Sequence, residues 1–387
     1  MSSIADLVKQ ADCCGCGSCC TICPTGCISF NPDIYGFLHP TVDANSCIDC
    51  GLCLCSCPAL SHGKMDEVRG VYWAKAKSRE DLIRSSSGGV FSLLAHEVFR
   101  EDGIVYGAAF ASDLHQVYHI RATKEDNLFA LTRSKYIQSA ISSSIFKKVE
   151  KDLKNGHKLL FCGTPCQIKS LNLFLNCCDT DVSNLLTVDV VCHGVPSPLL
   201  WGLWIDYLEK IYKSKIKSVN FRCKETGWKN FSIKYDFLNG TSCQKLFSKD
   251  WYMRAFLCNV SLRESCFNCP SKSSSGSDLT LGDFWGIEEH HSNVAIADGV
   301  SAVIVHTKKG EEYFKKISNS VECGRATWNE VLDGNPCVVS SVSQPADYVS
   351  FMEALSGATS IKPIKRRCGF GLSVFSRILR KLGSLFQ

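Results

Sequence analysis

The chain has 387 residues, of which 45% are hydrophobic and 21% charged, and its formal net charge is +5. This length allows two or three domains of roughly 100–200 residues each, and the composition excludes collagen-like, coiled-coil and largely disordered chains. The modest charge indicates no nucleic-acid partner. Because no apolar run approaches about 18 residues and no secretory signal opens the sequence, we expect a cytoplasmic protein without a transmembrane helix.

Cysteine is the outlier in the composition. The chain has 25 cysteines, and twelve of them lie between Cys13 and Cys57. In a reducing compartment, clustered cysteines bind metal or carry out redox chemistry more often than they form disulfides. The same head, to about residue 62, holds five acidic residues and one basic residue, whereas the tail from Lys362 holds seven basic and no acidic residues. The charge distribution thus indicates three physically different parts.

A cysteine motif is repeated within this head. The run Cys-x2-Cys-x2-Cys-x3-Cys-Pro begins at Cys13 and recurs 34 residues later at Cys47. This spacing is typical of bacterial ferredoxins, in which the fourth cysteine of each run reaches the other cluster. We therefore predict a small α+β domain over residues 1–62 with two [4Fe–4S] clusters, one held by Cys13, Cys16, Cys19 and Cys57 and the other by Cys47, Cys50, Cys53 and Cys23.

Two zinc sites are the alternative for the head. Zinc usually takes two separated C-x2-C pairs, which two complete four-cysteine runs do not resemble. The surplus cysteines are expected to pack as small side chains rather than to bind metal: Cys14, Cys20, Cys27 and Cys55.

After the head, the sequence alternates between strand and helix patterns. Apolar runs predict strands at 103–110, 158–162, 185–191, 279–284 and 301–307. Helical stretches lie near 89–101, 143–154, 165–175, 198–212 and 309–318. This alternation favours an α/β body with a mixed, partly parallel sheet. A hairpin insertion is predicted at 216–247 and a loop at 271–277.

Four further cysteines follow predicted strands or a loop in the body. The strand at 158–162 runs into Thr164 and Pro165, a natural helix start, which places Cys166 in the first helical turn. The strand at 185–191 runs into Cys192, and Cys266-x2-Cys269 forms a chelating pair on a loop. Ligands bind at the carboxyl ends of strands in open α/β sheets. The spacing is compatible with a third cluster and equally with two structural thiols beside a small zinc knuckle.

Two glycine-containing segments suit a bound organic ligand. Ser85–Gly89 precedes a predicted helix, where free backbone N–H groups favour a phosphate, although a plain N-cap explains these residues equally well. The run 282–286 (GDFWG) places an acidic residue and two aromatic residues between glycines. This arrangement fits a planar ligand, and packing at the edge of the core is the alternative.

Together these motifs resemble the beta subunits of coenzyme F420 hydrogenases and dehydrogenases. The resemblance covers about residues 70–320 in collinear order, and with its ferredoxin head the chain is similar to bacterial members found in surface-polysaccharide gene clusters. The chain departs from the family at Arg133, where glycine is frequent, and in the serine-rich loop 273–277, which lacks an expected arginine. Coenzyme F420 is therefore not transferred as a substrate. The matching segments are SSSGGVFS (85–92), SKYIQS (134–139), FCGTPCQI (161–168), DVVCHGVPS (189–197), FRCKETGW (221–228) and SLRESCFNCPSKSSSGSDLTLGDFWGIE (261–288).

The resemblance implies cofactors and site residues in the body. It implies a third [4Fe–4S] cluster held by Cys166, Cys192, Cys266 and Cys269. It also implies FAD or FMN, bound by a body with an N-terminal family domain at 70–150 and a C-terminal family domain at 151–335. The residues expected to contact the flavin are Ser86, Ser87, Gly88, Gly89, Lys135, Tyr136, Gly163, Thr164, Gln167 and Asp283.

Two residues of the body are candidates for catalytic roles. Lys135 would place positive charge near a reduced flavin, the alternative being a surface lysine. His193 lies between a candidate ligand and a glycine at a strand end, which suits a proton donor. Its alternative role is a hydrogen bond to a cluster sulfur or to the backbone.

These expectations define an iron–sulfur flavoprotein oxidoreductase that takes electrons from a soluble donor, such as a ferredoxin or a reductase. Its substrate would be a small organic or sugar-linked molecule, in surface-polysaccharide biosynthesis. The alternatives are an electron-transfer subunit that serves a partner enzyme and a degenerate scaffold, against which the intact ligand sets speak. Residues 370–386, within a basic tail at 362–387, form an amphipathic helical pattern that suits either the inner face of an anionic membrane or docking on its own domain.

Overall fold

The computed structural model describes residues 3–61 and 63–367. Its strands are β1 (Ile28–Pro32), β2 (Leu38–Val42), β3 (Gly70–Ala76), β4 (Ile104–Phe110), β5 (Val117–Ala122), β6 (Ser139–Ala140), β7 (Leu159–Gly163), β8 (Leu185–Val190), β9 (Ile216–Cys223), β10 (Ser232–Phe237), β11 (Ser242–Leu246), β12 (Leu279–Asp283), β13 (Ser301–Val305) and β14 (Val321–Arg325).

Helices connect and cover these strands. They are α1 (Ile4–Leu7), α2 (Ser18–Ile22), α3 (Leu52–Cys55), α4 (Arg79–Arg84), α5 (Val90–Arg100), α6 (Leu128–Leu131), α7 (Ser143–Lys154), α8 (Pro165–Cys177), α9 (Pro198–Tyr212), α10 (Trp251–Leu257), α11 (Ile287–His290), α12 (Lys308–Lys316), α13 (Trp328–Gly334), α14 (Tyr348–Leu355) and α15 (Ile361–Arg367).

A nine-stranded sheet in the order β14-β3-β13-β12-β8-β7-β4-β5-β6 forms the centre of the body. Its middle strands β12, β8, β7 and β4 are parallel to their neighbours in this group, and antiparallel pairs flank them on both sides. The predicted mixed, partly parallel sheet is therefore confirmed. Strands from both 70–150 and 151–335 take part in this one sheet.

The predicted strands and helices of the body agree with the structure to within a few residues. The insertion at 216–247 is a three-stranded antiparallel sheet of β9, β10 and β11 rather than a single hairpin. The sequence patterns missed β3, β5 and β14, which are less continuously apolar than the parallel strands. Each of these three has intermediate or exposed residues along its length, so its apolar signal is diluted.

Helices cover both faces of the central sheet. One face packs against α5 and α12 through residues such as Leu94 and Phe314. The opposite face packs against α7 and α8 through residues such as Phe146 and Ile168. A further core, rich in aromatic side chains, joins α9 and α10 to the three-stranded sheet around Trp201 and Tyr252. These layers hold the carboxyl ends of β7 and β8 next to one another, with Gly163 paired with Asp189.

The cysteine-rich head is an antiparallel β1–β2 hairpin with three short helices. Its own core contains Ile4, Val8 and Ile28 together with several cysteines. Helices α2 and α3 of the head contact α8 of the body. The head is therefore in contact with the helical face of the central sheet, close to the carboxyl ends of β7 and β8.

The amphipathic pattern predicted at 370–386 lies outside the described residues, so the expectation of membrane contact stays a prediction. Within residues 3–61 and 63–367, the helices are too short or too polar to cross a bilayer.

The aromatic core contains a buried carboxyl group whose ionisation should affect stability. Asp250 is fully buried, caps α10 by accepting from the Met253 N–H at 2.9 Å, and accepts from the Tyr235 hydroxyl at 3.2 Å. Burial raises the pKa of Asp250 to about 6. Because the unfolded chain loses this proton near pH 4, the free energy of unfolding should fall by up to about 3 kcal/mol as the pH rises from about 4 to about 6.

We expect Asp250→Asn to remove this fall, since asparagine keeps the cap but cannot ionise. Urea unfolding at several pH values between 4 and 7, followed by tryptophan fluorescence, measures it. Asp236→Asn on β10 is the matched control, because this carboxyl is partly exposed and bonds to Ser218. An unchanged pH dependence in Asp250→Asn would contradict the assignment.

Candidate functional site

Four body cysteines from three chain segments converge at the carboxyl ends of β7 and β8. Cys166 lies in the first turn of α8, and Cys192 follows β8. Cys266 lies in a short 3-10 turn at Glu264–Asn268, and Cys269 follows it. Each of the four thiols is close enough to the other three to affect their ionisation. We call these four residues the body thiol set.

Local structure holds these segments in place. At the start of α8, Thr164 and Gln167 form a capping box, in which the Thr164 N–H donates to Gln167 Oε1 at 2.9 Å. The loop after Cys192 is tied to the chelating loop by a β-bridge between Pro196 and Leu262. The sequence cue of a proline-initiated helix after a strand therefore located Cys166 correctly.

Burial disfavours the thiolate form of the body thiols unless another group stabilises it. Burial raises the pKa of Cys192 well above its ordinary value, that of Cys266 to about 12, and that of Cys269. A hydrogen bond from Cys14 is the main reason that the pKa of Cys166 is lowered to about 7. Buried thiols become thiolates readily when they bind a metal, because the metal's positive charge offsets the cost of desolvation.

Basic side chains lie around the body thiol set. Lys272 Nζ donates to the carbonyls of Cys192 at 2.5 Å and Cys337 at 2.8 Å. Lys169 Nζ donates to the carbonyl of Pro270 at 3.2 Å. Arg263 lies close enough to favour the thiolate of Cys166. Four sulfur donors surrounded by positive charge fit an iron–sulfur cluster, because the cluster and its four thiolates together carry a net negative charge. The four sulfur donors by themselves also fit zinc.

In the head, the structure brings together the first set of predicted ligands. Cys13, Cys16 and Cys19 lie on the turn before and within α2, and Cys57 approaches from the second repeat. The thiol of Cys57 interacts with those of Cys16 and Cys13, and the thiol of Cys19 with both as well. Burial raises the pKa of Cys13 and raises that of Cys57 to about 12. The crossing of the fourth cysteine to the other repeat is therefore present in the structure.

The second predicted set lines one concave region of the head. Its members Cys23, Cys47, Cys50 and Cys53 share this lining with Cys27. The Cys23 and Cys27 sulfurs are 3.4 Å apart. Although burial opposes ionisation, hydrogen bonds from Thr25 and Cys27 lower the pKa of Cys23 to about 7. Cys27, one of the surplus cysteines, therefore lies next to the second set of predicted ligands.

The turn Ser85–Gly89 uses its polar groups within the protein. Ser86 Oγ accepts from the Ser134 N–H at 2.7 Å. Ser87 Oγ donates to the Val300 carbonyl at 2.9 Å, and the Gly88 N–H donates to Ser301 Oγ at 3.0 Å. Gly89 is the N-cap of α5 in a left-handed conformation. The hydroxyls predicted to hold a flavin are therefore already hydrogen-bonded to neighbouring strands and loops.

The second predicted flavin segment has similar internal partners. Gln167 completes the capping box with Thr164 and also donates from Nε2 to the Ser139 carbonyl at 3.0 Å. The Thr164 hydroxyl lies 3.2 Å from Cys166 Sγ, which places it beside the body thiol set. A Cβ on Gly163 would meet Gln167 at 3.0 Å, so close side-chain packing at this turn favours glycine there.

Asp283 forms a buried ion pair that the sequence analysis missed. The Arg222 guanidinium donates to its two carboxylate oxygens at 3.0 and 3.1 Å, and Trp228 Nε1 donates to it at 2.9 Å. Arg222 lies over the rings of Phe231 and Trp285, at 4.1 and 5.1 Å from their centroids. Arg222 lies in the segment FRCKETGW (221–228). An arginine within an apolar strand pattern was the only sequence feature that indicated a buried ion pair here.

Tyr136 and Lys135 lie between this ion pair and the turn Ser85–Gly89. The Tyr136 hydroxyl is 3.3 Å from Arg222 Nη1. Lys135 Nζ donates to the carbonyls of Thr132 at 2.7 Å and Arg133 at 3.3 Å. Burial, with a smaller contribution from the positive charge of Arg133, lowers the pKa of Lys135 to about 7. Lys135 is therefore a partly buried group whose charge depends on its surroundings.

Arg133 lies at a position where the backbone itself favours glycine. Its φ angle is +66°, in the left-handed region that L residues other than glycine adopt at a cost. Burial lowers the pKa of Arg133, and the nearby Arg84 contributes in the same direction. Glycine would adopt this conformation without strain, and arginine adds a cation there.

His193 lies beside the body thiol set with one ring nitrogen engaged. Its Nε2 is 2.6 Å from Asn259 Oδ1, and its ring packs edge-on against Phe256 at 5.0 Å between centroids. Burial lowers the pKa of His193 to about 4. A histidine with this pKa carries little proton near neutral pH, which suits the hydrogen-bonding alternative better than a general acid. Its catalytic role stays a prediction.

Part of the body resembles a known protein family. Residues 156–327 match the family described as the C terminus of the coenzyme F420 hydrogenase/dehydrogenase beta subunit. This part of the chain is similar to that family. The matched segment contains all four cysteines of the body thiol set and excludes the head.

The curated relatives span most of the chain. An uncharacterized protein of Methanocaldococcus jannaschii is 25% identical over 366 residues, covering 83% of this chain and 90% of that protein. A subunit of the F(420)H(2) dehydrogenase of Methanosarcina mazei is 21% identical over 338 residues, covering 82% and 86%. Among solved structures, a chain of the F420-reducing [NiFe] hydrogenase complex of Methanosarcina barkeri is similar with a TM-score of 0.47 and 17% identity, covering 67% of this chain and 83% of that chain.

Close packing at Gly88 provides a test of the role of the turn Ser85–Gly89. A Cβ at Gly88 would lie 2.3 Å from the Ala74 carbonyl oxygen and 2.7 Å from the Ser301 nitrogen. We therefore expect Gly88→Ala to lower the free energy of unfolding by about 1–3 kcal/mol or more, because rigid backbone cannot move aside. Denaturant unfolding of the purified protein measures the change.

Gly202→Ala in the middle of α9 is the control, since its Cβ would meet only His115 Nδ1 at 3.9 Å. That variant should be stabilised by up to about 1 kcal/mol through helix propensity. Full stability in Gly88→Ala would show that the glycine serves some purpose other than packing.

Proposed function

We propose that this chain is an iron–sulfur electron-transfer protein of the oxidoreductase type, which accepts electrons from a soluble donor such as a ferredoxin or a reductase. The observation that carries the proposal is the convergence of Cys166, Cys192, Cys266 and Cys269 next to the first thiol set of the head. The twelve predicted ligands would then form three groups of four thiols. Bound [4Fe–4S] clusters would supply one-electron transfer at each group.

The chain's own residues support charged clusters at these positions. Lys272 donates to the backbone carbonyl of Cys192, one of the four cysteines of the body thiol set. Lys169 links the loop at Pro270 to the head through the Ser61 carbonyl at 2.9 Å. Positive charge near a cluster favours its reduced, more negative state. The arrangement therefore favours electron flow toward the body thiol set.

A second candidate function adds a flavin and an organic substrate. The observation that favours it is a group of basic residues around the turn Ser85–Gly89: Arg133, Lys135 and Lys224. Burial lowers the pKa values of both lysines to about 7, and the charge of Arg133 contributes in the same direction. A phosphate of FAD or FMN would relieve this repulsion.

The flavin residues would differ in part from those predicted. Ser86, Ser87 and Gly88 have partners within the protein, and Lys135 Nζ donates to two backbone carbonyls. The Arg133 guanidinium lies over the Phe129 ring, at 5.2 Å from its centroid, and donates no hydrogen bond within the described part of the chain. We infer that Arg133, rather than the serine hydroxyls, would contact the phosphate.

If no flavin binds, the chain is best explained as a subunit that serves a partner enzyme. The Methanosarcina mazei relative is itself named as a dehydrogenase subunit. Surface-polysaccharide biosynthesis and a sugar-linked substrate are proposals that rest on the resemblance alone.

Metal content tests the iron–sulfur proposal. Three cubane clusters require about twelve irons per chain, and the Cys266→Ser, Cys269→Ser double variant should retain about eight, because the head sets remain intact. Anaerobic iron, sulfide and zinc analysis measures both. The Cys177→Ser, Cys178→Ser double variant at the end of α8 is the control and should keep the full iron content.

About eight irons in the wild-type protein, with no loss in the Cys266, Cys269 variant, would remove the third cluster. Zinc in place of the missing iron would instead support the zinc knuckle in the body.

Flavin binding tests the second candidate. After anaerobic reconstitution with FAD or FMN, we expect a visible flavin absorption band that persists through desalting. Arg133→Gly removes one cation and also relieves the positive φ, so the protein should remain folded while flavin affinity falls about tenfold to a hundredfold, the value of one charge-assisted hydrogen bond.

Lys148→Ala on α7 is the control, because it removes an exposed positive charge away from the turn. Wild-type protein that retains no flavin would favour the subunit function. Unchanged affinity in Arg133→Gly would place the phosphate elsewhere.

A further inference from the structure

The two repeats of the head have equivalent ligand turns in different surroundings. In the first repeat, a Cβ on Gly15 would lie 2.8 Å from Arg263 Nη1, and one on Gly17 would lie 2.9 Å from the Ile141 carbonyl oxygen. In the second repeat, a Cβ on Gly51, the equivalent of Gly17, would meet no atom of the described residues within 4 Å. The body therefore covers the first turn and leaves the second turn open.

The exposure of side chains differs between the repeats in the same way. Cys16 is 8% exposed, whereas its equivalent Cys50 is an exposed residue. Ile48, two residues before Cys50, is 64% exposed. Ile48, Pro24 and Ile28 line the same concave region as Cys50. The second ligand set is thus accessible from outside, beside apolar side chains that a docked protein would bury.

The charge of this part of the molecule is negative. Residues 1–62 hold five acidic residues, and Lys9 is the one basic residue among them. Asp43 and Asp49 precede and follow Cys47 in the sequence, and both are exposed. Bound clusters with their thiolates would add to the negative charge. A protein with a basic rim would therefore be attracted to the open turn, whereas an acidic protein or the head of a second copy would be repelled.

We propose that the open turn Cys47–Gly51, with Ile48 within it, is the surface on which a soluble one-electron donor with a basic rim docks. The inference deepens the proposed function and rests on it. In each encounter the donor loses one electron and the group held by the second ligand set gains it, and no bond forms or breaks. The first ligand set, which the body covers, would receive the electron next.

Ferric cytochrome c is a suitable probe, because it is a soluble one-electron protein with a basic rim around its haem edge. It accepts electrons rather than donating them, but the same surface serves the encounter in both directions. Transfer from the chain, reduced with dithionite and freed of excess reductant, should be second order and should slow as ionic strength rises. Ile48→Lys should lower the rate constant at least about tenfold, since it sets a cation against the basic rim and removes an apolar contact.

Ile34→Lys is the matched control for this variant. Ile34 is 62% exposed and lies in the turn between β1 and β2 of the same head. The two variants therefore change the net charge equally at different places. Ile34→Lys should transfer at close to the wild-type rate.

A second pair of variants tests the charge without adding bulk. Asp49→Asn should lower the rate constant about twofold to fivefold at low ionic strength, as expected for one exposed charge, and Asp102→Asn in the body should leave it unchanged. Both aspartates are exposed. Their φ angles are 51° and 52°, a conformation that asparagine also adopts.

A binding measurement separates docking from electron transfer. Zinc-substituted cytochrome c is fluorescent and is not reduced by the chain in the dark, so its dissociation constant can be measured directly. Ile48→Lys should weaken this binding by a factor similar to its effect on the rate. Its iron and sulfide content, and the reduction potentials of the head, should stay at the wild-type values.

The basic tail at 362–387, which extends beyond the described residues, is the other occupant that charge would favour. The full-length chain with Arg377, Arg380 and Lys381 all changed to Gln should bind zinc cytochrome c as the wild type does. Tighter binding in this variant would make the tail, rather than a donor, the occupant of the open turn.

The remaining failures can be distinguished from one another. Equal rates in Ile48→Lys and Ile34→Lys, or a rate that does not respond to ionic strength, would overturn the docking surface and leave the proposed function standing if the iron content is full. If Ile48→Lys loses iron, the decision passes to Asp49→Asn, and a wild-type rate there overturns the surface. A wild-type chain without iron would overturn the proposed function, and the docking surface with it.

Discussion

The buried guanidinium of Arg263 joins the cysteine-rich head to the body. A cation in this position is costly to bury unless acceptors surround it. The carbonyls of Cys13 and Leu38 belong to the head and the Gln138 side chain belongs to the body, so the acceptors come from both sides. Its hydrogen bonds can be completed only when head and body are in contact. Together with the hydrogen bonds from Gln138 to Cys14 and from Lys169 to Ser61, Arg263 therefore holds the thiol groups of the head next to those of the body.

The body contains two basic regions, and their positive charge is balanced in different ways. Lys272, Lys169 and Arg263 surround buried thiols whose ionisation burial opposes, and acceptors within the chain receive their hydrogen bonds. Arg133, Lys135 and Lys224 instead surround a turn whose hydroxyls already have partners. The carboxylates of Asp283 and Asp298 lie close enough to Lys224 to raise its pKa. Arg222 already forms an ion pair with Asp283. An anionic ligand would balance the remaining charge of this second region.

Position in the sheet connects these regions. The strands β7 and β8 are parallel neighbours, and their carboxyl ends deliver Cys166 and Cys192 to the same edge. Lys135 lies beside Cys162 at the end of β7, close enough for each to affect the other's ionisation. Cys162 and Cys166 are four residues apart in the chain. The basic residues around the turn Ser85–Gly89 are therefore near the thiol groups. A protein that passes electrons from clusters to an organic cofactor would require such proximity.

The sequence by itself determined the elements of the parallel sheet, because β4, β7 and β8 are buried on both faces and appear as continuous apolar runs. It also indicated the ligand runs Cys13–Cys23 and Cys47–Cys57, because placing three thiolates on one tight turn requires a fixed spacing between neighbouring residues. Strands β3 and β14 escaped prediction because their alternation is incomplete. The partners of Asp283 and the hydrogen bonds of Arg263 to Cys13, Leu38 and Gln138 were decided only by tertiary structure. Each of these joins residues more than 50 positions apart or across the head–body contact, and no local pattern records which distant group a buried charge or thiol will meet.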